Sequence, residues 1–277
     1  MDTTDRGVDE WVGRLENAEI PVLKRTARDL ARLQADPDHT EVRDVAEVLS
    51  HDPMMTLLLL RYVQQNKRSS QLNELVQIEQ ALMMLGMQTF FSRLAGQPVA
   101  EDSLRGQMQA LTGMLHAVQR ATRAAWFARD WAVRLKDLHF DEIRIVALMH
   151  NFAEILLWCH APEPMSRIRQ LQMKDRSRRS RDVQTEMLGF KISDLQLELA
   201  RRWNLPGLLI DFMQRNYAQE RRMRIIVLAI NLSRHAENGW NDAALPDDYS
   251  EIGELLHLPA DEVMQMVQGE QVAVPLR

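Results

Sequence analysis

The 277-residue sequence holds a single cysteine, Cys159, which excludes an internal disulfide framework and any Cys-x-x-Cys metal or redox pair. So sparing a use of cysteine fits a reducing compartment, and a cytoplasmic location is the expectation. Glycine and proline are scarce too, at 11 and 10 residues. No GxGxxG or GxxxxGK[ST] pattern occurs, which excludes a glycine-rich phosphate cradle of the P-loop kind. A GxSxG nucleophile elbow and an HExxH zinc helix are also missing. Neither sign of charge dominates: 34 Lys+Arg against 39 Asp+Glu leave −5, which rules out a strongly basic protein. Long apolar runs are absent. Met54–Leu60 is interrupted by Thr56 and stops at Arg61, and Ile225–Ile230 lies between Arg224 and Asn231. Both fall far short of the roughly 18–20 residues that cross a bilayer, so no membrane contact is expected. The opening MDTTDRGVDEW has neither a basic start nor an apolar h-region, so no secretory leader is expected.

What remains is the composition of a helical protein. Hydrophobic residues make up 45% of the chain, enough to supply a sizeable core. Met, Leu, Ala, Gln, Arg and Glu predominate over the β-branched and aromatic residues that mark strands. From Phe140 to Cys159, the residues Ile143, Val146, Ala147, His150 and Ala153 recur at helical intervals on one face, and no convincing period-2 stretch is present. The fold class expected is all-α, with roughly twelve to fourteen helices.

Punctuation suggests the boundaries. Thr40 is placed to cap a helix running to Leu49, and Asp52 to cap the next, with Pro53 at the first helical position where its missing N–H costs nothing. Pro21, Pro164, Pro206 and Pro259 mark further starts, and Gly86 marks a helix end. Gly96–Gly106 (GQPVAEDSLRG) reads as a linker. The expected organisation is a flexible segment over 1–13, an N-terminal helical bundle over 14–96, a larger helical domain over 107–240 and a helical extension over 241–277.

Among eight histidines, His51-Asp52 is the only literal His-Asp dipeptide, and Asp52 is better used as a cap. A second segment, Ala147-Leu148-Met149-His150-Asn151-Phe152-Ala153-Glu154-Ile155-Leu156, resembles the His-Asp helix of HD-superfamily proteins. Further likeness comes from Ile20-Pro21-Val22-Leu23 followed by Asp29–Arg61, from Ile78-Glu79-Gln80-Ala81 through Leu85-Gly86-Met87, and from Gly189-Phe190 with Leu199-Ala200-Arg201-Arg202-Trp203-Asn204-Leu205-Pro206. Together these resemble the HDOD family, the non-catalytic relatives of HD and HD-GYP metal-dependent phosphohydrolases. That resemblance implies an N-terminal helical bundle packed on a degenerate HD-like helical domain over 107–240.

Position by position, the resemblance implies that few metal ligands survive. The first HD histidine falls near Arg120, with His116 about a turn away, and His150 retains the second. Asn151 replaces the aspartate. The later ligands fall at Ile192, near Met213 and Gln214, and at Asn231. A working metal centre needs three or more protein ligands, so no metal, no cofactor and no catalytic residue is expected. The remnant-site candidates are His150, Asn151, Asn231, Arg120 and Gln214. Asn151 and Asn231 are expected to hydrogen-bond to each other or to His150.

The functional expectation is a signal-transduction module acting through contact with a signalling protein. Two alternatives stand beside it. One is a sensor that binds a nucleotide or another anionic ligand in the remnant cavity, which requires Arg120, Arg123 and Gln214 to converge on His150; the other is a residual phosphohydrolase. The basic run Lys174, Arg176, Arg178, Arg179 and Arg181 offers anion contacts, although a solvated loop is the plainer reading. A net acidic chain without aromatics interleaved in that run argues against specific nucleic-acid binding. Trp126, Trp131, Trp158 and Trp203 lie in apolar helical patterns and are expected in the core.

Overall fold

The computed structural model describes residues 3–66, 77–175, 178–214 and 221–269. Among these the regular elements are helices: α1 (Thr3–Leu15), α2 (Lys24–Ala35), α3 (Val42–Leu49), α4 (Pro53–Gln65), α5 (Ile78–Leu85), α6 (Met87–Arg93), α7 (Ala100–Ser103), α8 (Met108–Arg134), α9 (Phe140–Leu148), α10 (Phe152–His160), α11 (Pro162–Lys174), α12 (Ser180–Leu188), α13 (Ile192–Arg202), α14 (Gly207–Gln214), α15 (Arg221–His235), α16 (Leu245–Leu256) and α17 (Ala260–Gly269). One isolated bridge, Val22 with Val99, is the only strand-like pairing among the described residues. The chain divides into two compact units, one of 1–118 with 151–214 and the other of 119–150 with 215–277. Helix α8 therefore contributes its first part to one unit and its second part to the other.

In the first unit, the first two turns of α4 are buried on every side: Pro53 through Leu60 are all buried, as a nearly all-apolar stretch requires. Asp52 starts it as the sequence suggests, its Oδ1 accepting from the backbone N–H groups of Met54 (2.8 Å) and Met55 (3.1 Å). Its other oxygen accepts from Leu23 N–H at 2.9 Å, so one fully buried carboxylate also pins the chain ahead of α2. Burial pushes this carboxyl above the ordinary range, against the opposing effect of its backbone donors and Thr26. Trp203, fully buried, donates from Nε1 to the carbonyl of Glu16, while the Arg61 guanidinium lies 4.9 Å from its ring and donates to that same carbonyl at 2.7 Å. The Trp158 ring of α10 lies so close to Gly113 of α8 that a Cβ there would sit 2.4 Å from it.

The second unit is built of α9, α15, α16 and α17 with the end of α8, around Trp131, Ile143, Ile226, Ala229 and Ile252. Its polar contacts include several pairings of acidic with basic side chains. Arg222 donates to Asp137 at 2.9 Å, His235 meets Asp248 at 2.6 Å, and Arg224 meets Glu254 at 2.7 Å.

Several boundaries differ from those read in the sequence. Residues 1–13, expected to be flexible, lie largely within α1, because Val12 and Leu15 bury a face that packs against α13. Gly96–Gly106 is not a boundary between units: Val22 N–H donates to Pro98 O and Ala100 N–H to Val22 O, so this segment is tied to the start of α2, and the division falls inside α8 instead. A continuous helix carries no glycine or proline signal at such a point. Thr40 does not cap α3. Its hydroxyl donates to Leu33 O and Asp36 O, while Glu41 and Asp44 form a capping box. Gly86, at φ +82°, does end α5, and α16 and α17 lie within the stretch read as a helical extension.

Candidate functional site

The segment Ala147–Leu157, expected as one HD-like helix, is broken. α9 ends at Leu148, α10 begins at Phe152, and His150 with Asn151 lies in the break. Asn151 is the N-cap residue of α10, with φ −132° and ψ 26°, and its carbonyl accepts from Ile155 N–H at 3.2 Å. The buried side chain donates from Nδ2 to Ala117 O at 3.0 Å, and its Oδ1 has no partner among the described residues. The next turn of α10 is supported by Gln196, whose Oε1 accepts from Ala153 N–H at 3.2 Å. His150, at the end of the second unit's segment, hydrogen-bonds through Nδ1 to Ala147 O at 2.7 Å.

The remaining candidates are held by other groups. Arg120 pairs with Glu237 at 3.0 Å, the two side chains being 17% and 19% exposed, so this ion pair is largely shielded from solvent. Arg123 donates to Ala236 O at 3.0 Å; burial lowers its pKa, with Glu237 opposing. Asn231 accepts from Arg234 at 3.3 Å. Ile192 is buried in the first turn of α13, and Gln214 is exposed at the end of α14. The amides of Asn151 and Asn231 thus take partners other than those expected: Asn151 holds a main-chain carbonyl, and Asn231 bonds one turn along its own helix.

The basic run does not form one cluster. Lys174 ends α11, Arg178 pairs with Glu186, Arg179 precedes α12 and Arg181 pairs with Asp182 at 3.5 Å. Arg176 lies outside the described residues. Trp131, Trp158 and Trp203 are buried as expected, and Trp126 is half-buried. Glu237 is the residue that sequence reasoning missed. It meets Arg120 from more than a hundred positions away, and no local pattern announces it.

No group of three or more His, Cys, Asp or Glu side chains among the described residues is arranged to hold a metal ion. The HD metal does not fit the groups that are present. Of the residues that the resemblance sets at ligand positions, Asn151 offers an amide whose donor faces a carbonyl and Arg120 a guanidinium paired with Glu237. The orphaned oxygen at this break, Asn151 Oδ1, is neutral and a poor sole ligand for a divalent cation.

The HDOD domain model matches residues 20–219, most of the chain. The chain belongs to the HDOD family. HDOD domains are HD-related domains of unknown or non-catalytic function. Among solved structures, the fold is similar to that of the MmoQ response regulator from Methylococcus capsulatus (TM-score 0.67, 17% identity, 91% of this chain and 99% of that one). It is also similar to a virulence factor from Campylobacter jejuni (TM-score 0.69, 17% identity, 97% of this chain and 90% of that one). An HDOD domain protein of unknown function from Geobacter sulfurreducens matches at TM-score 0.51 and 14% identity, over 98% of this chain and 95% of that one. At these identities the likeness shows the all-α HDOD fold alone. No curated protein is significantly similar to the sequence. No helix among the described residues is long and apolar enough to cross a membrane.

Proposed function

We propose that this HDOD protein is a non-catalytic regulatory module whose output is contact with another protein. The observation that carries the reading is Asn151. Where an HD phosphohydrolase presents a carboxylate to its metal, this chain presents a buried amide whose N–H binds the carbonyl of Ala117. An ionised aspartate could not make that bond, because it has no donor and would set two acceptors against each other. The Arg120–Glu237 pair supports the same reading, since a guanidinium occupies the position of the first ligand and is neutralised there. Arg120 and Arg123 both hold the Ala236–Glu237 turn, which gives the sensor alternative no support from these two residues. The regulator-like name of the MmoQ neighbour agrees with a signalling role.

The test is elemental analysis of protein purified without chelator or affinity metal, paired with thermal shifts in Mn²⁺, Mg²⁺ and Fe²⁺. A bound ion at 100 times its Kd stabilises by ~2.7 kcal/mol. The expected outcome is no stoichiometric metal and no cation-dependent shift. Metal at one or two per chain, or a clear shift, overturns the reading and reopens hydrolysis.

A further inference from the structure

Within the first unit, α8 and α11 flank an open cavity of about 220 Å³. The wall from α8 has an unusual surface. Residues 108–118 (MQALTGMLHAV) include no charged side chain, yet Met108, Thr112 and Leu115 are exposed at helical spacing on this stretch, Met108 to 73%. A solvated helix face normally carries charge; three turns without it, with methionine and leucine standing out, have the composition of a contact surface, where Met and Arg are enriched and acidic residues depleted. The wall from α11 supplies Met173, 68% exposed, and Arg169.

Arg169 sets the sign of the partner. Its guanidinium bonds at 3.1 Å to Nδ1 of His116, and no carboxylate pairs with it among the described residues. The helix that bears it has Arg167, Arg169 and Lys174 against Glu163 alone, so α11 is locally basic on a chain whose net charge is −5. Because Met108 and Met173 stay mostly exposed, a small molecule in this cavity would remain largely wet, unlike the usual burial of 70–90% of a ligand's surface. A helix laid along the groove covers both methionines at once.

We infer that the α8–α11 groove docks an acidic amphipathic helix of a partner protein, with apolar side chains between Met108 and Met173 and a carboxylate on Arg169. Thioether side chains adapt to varied apolar partners, and the mode is helix-in-groove recognition. This inference rests on the reading of the protein as a contact module and names the surface that makes the contact.

The experiment uses the full chain and three fluorescein-labelled helical peptides of about 15 residues, four turns long. One has a leucine stripe flanked by glutamate, one has the same stripe flanked by lysine, and one has glutamate with serine replacing leucine. The expected result in fluorescence anisotropy is saturable binding of the Glu/Leu peptide alone, weakened at least about tenfold by Arg169→Glu and by Met173→Asp. Arg169→Glu should in turn acquire binding of the Lys/Leu peptide. Both substitutions are at solvent-accessible positions, and circular dichroism melts verify folding; the peptide series on unaltered protein reads the same specificity should either variant unfold. Equal binding to unaltered protein and Arg169→Glu overturns the proposal, as does no binding of the Glu/Leu peptide. Self-association in sedimentation equilibrium that Met173→Asp abolishes would assign the groove to a second copy, and saturable octanoate binding without peptide binding would assign it to a small ligand; either result overturns it. Failure here leaves the metal-content result standing, and metal loading would remove the non-catalytic reading without altering the peptide result.

Discussion

Asp52 and Asp137 are buried aspartates, one in each unit, and their carboxyl groups shift in opposite directions. Asp52 is fully buried, takes backbone donors from Leu23, Met54 and Met55, and has no cation bonded to it; burial dominates and its pKa rises. Asp137 is also buried, and desolvation pulls in the same direction. There the His139 N–H and the Arg222 guanidinium outweigh it, so the pKa falls. Asp52 lies deeper and bears the larger dehydration, which its backbone donors do not offset; Asp137 lies shallower, and there the His139 N–H together with the Arg222 guanidinium prevails. The partners differ in kind as well: Asp52, like Asn151, Gln196 and Trp203 in the same unit, bonds to main-chain groups, whereas Asp137 in the second unit also bonds to a guanidinium.

The largest effect should come from breaking the first unit's pin. Asp52→Ala leaves three N–H groups without their acceptor and is expected to cost about 3–5 kcal/mol, since each stranded buried donor costs roughly 1–3 kcal/mol. Urea unfolding at neutral pH measures it, and a loss under ~1 kcal/mol would show that water can replace the carboxylate. Gly113→Ala comes next. A methyl group at 2.4 Å from the Trp158 ring forces α8 and α10 apart, at about 1–3 kcal/mol of overpacking, readable as a lower Tm with altered Trp fluorescence.

Arg222→Ala probes the opposite case and should cost about 1–3 kcal/mol at neutral pH, where Asp137 is ionised. Asp137 is depressed in the folded state, so the stability it contributes is present above the ordinary carboxylate range and is lost as pH falls through its lowered pKa. The penalty of Arg222→Ala should therefore shrink on acidification. Asp52 has the reverse sign. Its raised pKa means that stability declines as pH climbs from the ordinary carboxylate range through the raised value, so the gap between unaltered protein and Asp52→Ala should widen in acid. Unfolding free energies measured across a pH series separate the two slopes, and parallel slopes in both variants would undo the comparison.

The smallest effect is chemical. Burial, with Glu101 and Asp52 adding to it, pushes the Cys159 thiol up to about 12. In folded protein it should react with iodoacetamide about a thousandfold more slowly than a free thiol and reach the ordinary rate once unfolded. Fast labelling of native protein would mean that the surroundings of Asp52 open readily.

Much of the local structure was legible in the residues. Asp52-Pro53 announces the start of α4 and Gly86 the end of α5, because a cap and a positive φ are decided by a few neighbouring atoms. The break at His150-Asn151 was not legible, since the apolar spacing runs through it without glycine or proline, and Asn151 ends the pattern by bonding to Ala117 on another helix. Arg120 could be placed near a vacated ligand position by resemblance to the HDOD family, but its partner Glu237 could not.

The sequence by itself determined the helical class, the start of α4 at Asp52-Pro53 and the end of α5 at Gly86. These follow from side-chain chemistry and spacing. Only the tertiary structure decided that α8 is shared between two units, that Gly96–Gly106 is tied to the start of α2, and that the amide of Asn151 is locked to a carbonyl. Those outcomes depend on which distant backbone groups are left to be satisfied once the apolar faces are buried, and that information is not local in the chain.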